Sequence, residues 1–276
     1  MPVGARPPTS AVFEEALTLF QRRSVQCAET ARQMQARRIL PAARRAGLSV
    51  LDIGAGEGRL ASLMNPLAGT LVLLEPNPRC VELLKERFPH VYPDRWDERA
   101  RDRLRDDHPE GFGLVTMTHM LYHFSGPEEI RARLRLALTL LNPGGHLVIT
   151  LNQETAPMAR MGIRFQLEEG RLEESSANQG LHASCHDKRF YEALASDGLD
   201  VEIAPMDGSL RDIGSWEELI RLFRMPLLDP LSHAPCDTER LDAFIAADLD
   251  SRFPGLAYPA TIPSRDDLIV LRKSPT

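Results

Sequence analysis

Short apolar runs alternate with amphipathic segments through the first half of the chain. Such runs are typical of buried strands, and they occupy 48–53, 71–75, 90–92, 113–118 and 146–151. Between them, apolar residues recur at helical spacing, as in Val81, Leu84 and Phe88, and again over 128–141. Strands that alternate with helices predict a parallel sheet covered on both faces.

The second half continues this pattern less regularly. Helices are predicted near 187–196, 215–224 and 237–251, and strands at 201–206 and 268–272. Two segments, 152–185 and 225–262, contain Pro, Gly, Ser and His and are irregular for their length. Long irregular segments are typical of lids and binding loops, so we expect the substrate pocket beneath them.

The N-terminal region predicts a separate helical cap. Residues 11–46 have apolar residues at helical spacing and indicate one or two helices, with a break at Pro41. The predicted organisation is a cap over 1–46 and one domain over 47–276, with lid or substrate segments at about 152–185 and 207–262.

Composition narrows the class of protein. The chain has 276 residues, of which 43% are hydrophobic, and a net charge of −6. This acidic balance argues against nucleic acid and anionic membranes as partners. The N-terminus lacks the apolar core of a signal peptide, and no apolar run reaches the about 18 residues of a membrane span. A cytoplasmic protein is expected, as a monomer or homodimer.

Cysteine and histidine spacing indicates no metal site. The four cysteines, at 27, 80, 185 and 236, form no CxxC pair, so neither a disulfide framework nor a zinc site is expected. His182, Cys185 and His186 lie close together in the segment HASCH, but no partner cluster with ligand spacing is nearby. We expect lid or surface residues there.

The stretch LDIGAGEG, residues 51–58, is the most informative part of the chain. Its glycines at 54, 56 and 58 allow a tight turn after a strand and close approach of a ligand to the backbone. The spacing G-x-G-x-G departs from the dinucleotide fingerprint G-x-G-x-x-G. It therefore counts against an oxidoreductase that uses NAD.

Two acidic residues accompany this loop. Glu75 ends the strand LVLLE, where a carboxylate is able to accept two hydrogen bonds from ribose hydroxyls. Asp52 lies on the strand before the loop, and two interpretations stay open for it. It contacts the amino-acid end of a cofactor, or it anchors the turn.

The order LDIGAGEG, LLEPNP, THMLYHF and LLNPGGHLVIT, over roughly 48–152, resembles the class I S-adenosylmethionine-dependent methyltransferases. The resemblance implies an α/β, Rossmann-like, doubly wound and mostly parallel seven-stranded sheet whose last strand is antiparallel. It also implies S-adenosylmethionine as cofactor. The implied cofactor contacts are Asp52, Gly54, Ala55, Gly56, Glu75 and Pro76, with Trp96 or Asp97 beside the adenine and Thr118 and His119 beside the sulfonium.

A weaker resemblance extends along the whole chain. The segments FQRRSVQ, EPNP, HMLYHF and RDDLIVLRK are similar to histamine N-methyltransferase and its relatives. That family binds its amine through Glu, Gln and Asn, where this chain has Gln26, His119 and Ser264 or Arg265. We take Gln26, His119 and Arg265 as candidate substrate contacts, although histamine itself is disfavoured.

His119, Tyr122 and His123 are the candidate catalytic residues. They follow the fourth strand, where the resemblance places the methyl group, and an imidazole titrates in the range that a general base needs. His119 is favoured for the pocket, whereas His123 is expected to pack beneath the next helix. Tyr122 either stacks on an acceptor or fills the core.

The sequence thus predicts an S-adenosylmethionine-dependent methyltransferase that acts on a small molecule, with N-methylation in secondary metabolism as the first hypothesis. O- and C-methylation stay open. A non-catalytic S-adenosylmethionine-binding module is the alternative from another class.

Overall fold

The structure is a computed structural model that describes residues 9–45, 49–170, 184–194, 199–228 and 234–275. The chain divides into two compact units. The sheet unit comprises Gln26–Gln153, Ala177–Met206 and Asp266–Thr276, and the hairpin unit comprises Met1–Val25, Glu154–Ser176 and Asp207–Arg265. The sequence-based division at residue 46 stays a prediction.

Strands and helices alternate along the described chain. The strands are β1 (Ser49–Ile53), β2 (Leu71–Leu74), β3 (His90–Tyr92), β4 (Phe112–Thr118), β5 (Leu141–Asn152), β6 (Leu199–Asp207), β7 (Leu210–Ile213), β8 (Ala260–Ile262) and β9 (Arg265–Lys273). The helices are α1 (Thr9–Arg23), α2 (Gln26–Ala36), α3 (Ile39–Arg45), α4 (Arg59–Met64), α5 (Pro78–Lys85), α6 (Glu98–Asp107), α7 (Pro127–Leu140), α8 (Pro157–Glu168), α9 (Lys188–Glu192), α10 (Trp216–Phe223) and α11 (Thr238–Arg252). None of these helices is long and apolar enough to cross a membrane.

Seven strands form one sheet in the order β3-β2-β1-β4-β5-β9-β6. Neighbouring strands from β3 to β5 run parallel, and β9 runs antiparallel to β5. The predicted mostly parallel, seven-stranded sheet with an antiparallel last strand is confirmed. Strand β5 begins at Leu141, ahead of its predicted start, because Leu141 already pairs with Phe112.

The sheet is buried on both faces, which explains its nearly continuous apolar strands. Leu51 and Val115 belong to the core cluster on one face, and Val50 and Leu114 belong to the cluster on the other. Successive side chains of a strand point to opposite faces, so the strands β1 and β4 supply both clusters at once. The few polar side chains buried within these strands include Asp52 on β1 and Thr116 on β4, which bond to each other.

The hairpin unit has its own apolar core. Strands β7 and β8 pair antiparallel, and helices α1, α8, α10 and α11 contribute buried residues such as Phe223 and Ile245. The segment 152–185 was expected to be irregular, but α8 occupies Pro157–Glu168 within it. Met158 and Met161 lie on its buried side, and Pro157 fits the first helical position, where no N–H is needed.

The N-terminal region also differs from expectation. It contains three helices rather than one or two, and the predicted break at Pro41 is wrong. Pro41 lies in the first turn of α3, which begins at Ile39. A proline is tolerated there because the first N–H groups of a helix have no intrahelical partner.

Candidate active site

A glycine loop connects β1 to α4 at the carboxyl end of the sheet. The backbone N–H groups of Gly54 and Ala55 donate to the Leu74 carbonyl, over 2.8 Å and 3.2 Å. Gly54 has φ of +76°, and a Cβ there would lie 3.4 Å from Met120. This close approach places the loop beside the residues that follow β4.

Glu75 is held by the same loop. One carboxylate oxygen accepts a hydrogen bond from Gly56 N and the other from Asn77 N, each over 2.8 Å. Burial raises the pKa of Glu75, and these two backbone N–H groups partly oppose that effect. Since each carboxylate oxygen has two lone pairs, one on each oxygen stays open to a diol.

Asp52 is buried on β1, and its carboxylate accepts a 2.6 Å hydrogen bond from Thr116 Oγ1 on β4. Burial raises the pKa of Asp52 to about 6. The hydrogen bond from Thr116 opposes this rise, and the negative charge of Glu75 adds to it. The hydrogen bond gives Asp52 a structural contact between two strands. Its predicted contact with the cofactor stays a prediction.

The residues predicted to lie near the adenine have structural contacts. Trp96 is 5% exposed, and its indole N–H donates to the Arg133 carbonyl over 3.1 Å. Asp97 is the N-cap of α6 and accepts from Ala100 N. Pro76 is exposed just beyond Glu75. The cofactor contacts assigned to Trp96, Asp97 and Pro76 stay predictions.

His119 lies directly after β4 in an unusual conformation. Its φ is +51°, which non-glycine residues rarely adopt, and its backbone N–H donates to the Thr150 carbonyl. The imidazole stacks on Tyr122, with ring centroids 6.4 Å apart. Thr118, one residue earlier, pairs with Thr150 at the end of the β4–β5 ladder. Strained backbone of this kind is concentrated at functional sites.

Tyr122 and His123 occupy a short 3-10 helix but differ in their surroundings. The Tyr122 hydroxyl donates to Asn152 Oδ1 over 2.8 Å and accepts from Asn152 N over 2.6 Å. Burial, and to a smaller extent the charge of Asp266, raises the pKa of Tyr122 well above its ordinary value. His123 is exposed, so its expected packing beneath the next helix is not observed.

The structure adds two residues that sequence reasoning missed, Asn152 and Asp266. They pair across β5 and β9, and Asn152 Nδ2 donates to Asp266 Oδ1 over 2.8 Å. The other oxygen, Asp266 Oδ2, lies 3.3 Å from His119 Nε2. The only signal in the sequence was a pair of acids, RDD, immediately before an apolar strand.

A second His–Asp contact lies beside the first. His186 Nδ1 is 2.6 Å from Asp267 Oδ2, and Gln153 Nε2 donates to Asp267 Oδ1 over 2.7 Å. Burial raises the pKa of Asp267, but the hydrogen bonds from His186 and Gln153 outweigh it and lower the pKa below its ordinary value. His182 lies outside the described residues. Within the described ranges, no three His, Cys, Asp or Glu side chains are placed to hold a metal ion.

Two of the candidate substrate contacts, Gln26 and Arg265, differ in burial. Gln26 is 3% exposed at the start of α2. Arg265 is exposed at the first position of β9, next to the buried Asp266. The roles of Gln26 and Arg265 in binding an acceptor stay predictions.

Comparisons with known proteins agree with this geometry. The model of a family described as a methyltransferase domain matches residues 25–201. Ubiquinone biosynthesis O-methyltransferases of Xanthomonas euvesicatoria pv. vesicatoria and Xanthomonas campestris pv. campestris are 33% identical over 117 residues and 34% identical over 127. These alignments cover 41% and 45% of this chain and 47% and 49% of the relatives, so the chain spans about half the length of the curated relatives it matches.

A solved structure shows the same fold. A protein from Bacillus halodurans C-125, assigned as a methyltransferase, superposes with a TM-score of 0.52 at 16% sequence identity. The match covers 90% of this chain and 99% of that chain.

The sheet order and the family match define a Rossmann-like methyltransferase. The chain belongs to this methyltransferase-domain family, and the resemblance of its motifs implies S-adenosylmethionine as cofactor. The described residues fit that cofactor. The glycine loop exposes backbone without Cβ atoms, and Glu75 keeps an open lone pair on each oxygen for the ribose hydroxyls.

Proposed function

We propose that this chain transfers the methyl group of S-adenosylmethionine to a small organic acceptor presented beside His119. The proposal rests on one observation, the closeness of the glycine loop to the segment that follows β4. A Cβ at Gly54 would contact Met120 at 3.4 Å, and Met120 is the neighbour of His119 in the chain. The cofactor loop and the candidate base therefore share one edge of the sheet.

The chemistry needs little from the protein beyond binding, orientation and proton removal. When bound, S-adenosylmethionine supplies a methyl group attached to a positively charged sulfur, and the sulfur keeps the electrons of the broken bond when the methyl group is transferred. The acceptor needs a lone pair aligned with that methyl group, and a hydroxyl or a protonated amine must also lose a proton. His119 is the imidazole at the end of β4, and 21% of its side chain is exposed.

N-methylation of an amine is our first proposal for the acceptor class. A protonated amine must lose a proton, and the buried Asp266, 3.3 Å from His119, would stabilise the imidazolium that receives it. O-methylation is the second, because the curated relatives are named O-methyltransferases. A cytoplasmic location, a role in secondary metabolism, and a monomeric or homodimeric state without nucleic acid or membrane partners stay predictions.

The test combines calorimetry with a methyl-transfer assay. Titration with S-adenosylmethionine should give saturable one-to-one binding, whereas NAD should not bind. A panel of small amines and phenols, analysed by mass spectrometry, should then give a product heavier by one methylene group. Amine products alone would favour N-methylation, and phenol products alone would refute it. Cofactor binding without any product across a broad panel would favour the non-catalytic binding module.

Two variants separate cofactor binding from acceptor chemistry. Glu75→Ala should abolish binding of S-adenosylmethionine, because it removes both hydrogen-bonded carboxylate oxygens. His119→Ala should slow turnover at least about 100-fold, which is far more than it weakens binding of the cofactor. Unchanged turnover in His119→Ala would refute the proposed role of His119.

A further inference from the structure

We infer that Asp266 is a positioning residue that keeps the proton of the neutral His119 imidazole on Nε2. Nδ1 is then the nitrogen that takes the proton from the methyl acceptor. This inference rests on the proposed function and deepens it. It follows from a chain of hydrogen bonds that begins at a backbone N–H group and ends at Asp266, whose other carboxylate oxygen lies 3.3 Å from the imidazole.

The first part of the chain fixes the orientation of the Asn152 amide. The backbone N–H of Asn152 donates to the Tyr122 hydroxyl oxygen, so that the hydroxyl proton points onward to Asn152 Oδ1. The Tyr122 phenol stays neutral because burial raises its pKa well above the ordinary value. With Oδ1 committed as an acceptor, the Asn152 Nδ2 group faces Asp266 as a donor.

The second part assigns the two oxygens of Asp266. Oδ1 accepts from Asn152 Nδ2 over 2.8 Å, which leaves Oδ2 for His119 Nε2, 3.3 Å away. Both Oδ2 and Nε2 are buried, and neither forms a hydrogen bond within the described part of the chain, so each is the other's nearest available partner at 3.3 Å. A carboxylate only accepts hydrogen bonds, so Nε2 must carry a proton to satisfy this pair.

This tautomer determines which nitrogen of His119 acts as the base. With the proton on Nε2, a neutral imidazole has its lone pair on Nδ1. Since Nε2 is buried, the exposed fifth of the His119 side chain belongs to its other atoms. During the reaction, the proton that leaves the acceptor hydroxyl or ammonium bonds to Nδ1, and the imidazolium that forms is stabilised by the Asp266 carboxylate. Distances between catalytic groups are often long before substrate binds, as the 3.3 Å separation is here.

Asp266→Asn should reverse the tautomer of His119. The amide oxygen of the new side chain must face the Asn152 donor, so its NH₂ group faces Nε2 and requires a lone pair there. The proton then moves to Nδ1, the same change of tautomer that abolishes base function in serine proteases. The 15N chemical shifts of histidine side chains, in protein labelled at histidine, report this directly. The His119 signals are assigned from their loss in His119→Gln.

The wild type should show His119 with Nε2–H in roughly tenfold excess or more, as expected for a charge-assisted hydrogen bond. Asp266→Asn should show Nδ1–H. Asp267→Asn is the matched control, because it removes the neighbouring acid that contacts His186 and should leave the His119 signals unchanged. Asp266→Leu removes the carboxylate without requiring a hydrogen bond, and should give a mixture of tautomers even if Asp266→Asn fails to fold.

An Nδ1–H tautomer in the wild type overturns the inference. So does one tautomer that persists unchanged in Asp266→Asn or Asp266→Leu. Calorimetric titration with S-adenosylmethionine, performed on the same samples, separates this outcome from failure of the proposed function. A protein that shows the expected tautomers but binds no S-adenosylmethionine retains the Asp266–His119 pair and loses the methyltransferase assignment of the site.

Discussion

Gly58, the third glycine of the loop, is expected to be irreplaceable for reasons of packing as well as conformation. Its φ is +78°, and an ideal Cβ would lie 2.6 Å from Leu84 Cδ2 and 3.1 Å from Phe88 Cε2. Both neighbours are buried, so neither moves away without disturbing the core beneath α5. A left-handed conformation costs a non-glycine residue about 1–2 kcal/mol. Overpacking a core adds about 1–3 kcal/mol, so Gly58→Ala should lower the free energy of unfolding by about 2–5 kcal/mol.

Gly144 provides a matched control for the conformational part of this cost. Its φ is +76°, and a Cβ there would meet no atom within 4 Å. Gly144→Ala should therefore lose only the conformational contribution of about 1–2 kcal/mol. Urea denaturation of both variants, followed by circular dichroism, measures the difference, which should be about 1–3 kcal/mol. Equal losses in the two variants would refute the packing argument, and a fully stable Gly58→Ala would refute both parts.

Three further predictions concern buried carboxylates. Glu75→Gln should weaken binding of S-adenosylmethionine at least about tenfold in calorimetry, since hydrogen bonds to charged groups are worth about 1.5–3 kcal/mol. The control variant Glu82→Gln, at an exposed position, should bind the cofactor as the wild type does. Asp52, with its pKa raised from 3.8 to about 6, binds more protons when folded, so stability should fall as pH rises from about 4 to 6. The loss should total about 3 kcal/mol and disappear in Asp52→Asn; melting temperatures with the same pH slope in both proteins would contradict this. In the hairpin unit, Asp248 is fully buried and bound by two arginines, so Asp248→Asn should lower the free energy of unfolding by about 2 kcal/mol, the value of a hydrogen bond to a charged group. The exposed Asp250→Asn should change it little, and equal losses in the two variants would contradict this prediction.

The fold was predictable because parallel, doubly covered strands leave a strong pattern in the sequence. Strands β1, β2 and β4 are buried along nearly their whole length, so each appears as an uninterrupted apolar run. Helix α8 was not predicted because it lies in a segment rich in residues that favour irregular structure, where the spacing of Met158, Met161 and Phe165 is a short helical signal.

The site was only half predictable, and the reason is sequence distance. Gly54 and Glu75 belong to contiguous motifs, so a single stretch of sequence indicates both. Asn152 and Asp266 are brought together by the antiparallel register of β5 and β9, across 114 positions of the chain. Nothing in either local segment indicates that partner. A cross-strand pair of this kind requires knowledge of the register.

The buried carboxylates on the two sides of the site have different partners, and this difference is consistent with methyl transfer from a cationic donor. On the donor side, Asp52 and Glu75 have no cationic partner among their described hydrogen bonds, and burial raises the pKa of both. A positively charged ligand nearby would lower the cost of ionising them. Beyond the end of β4, Asp266 faces an imidazole instead, 3.3 Å away. A carboxylate paired with histidine stabilises a proton on that ring rather than a cation in the pocket. Under the proposed function, one region of the sheet edge would accommodate a sulfonium and the other would receive a proton, as methyl transfer to a hydroxyl or an ammonium requires.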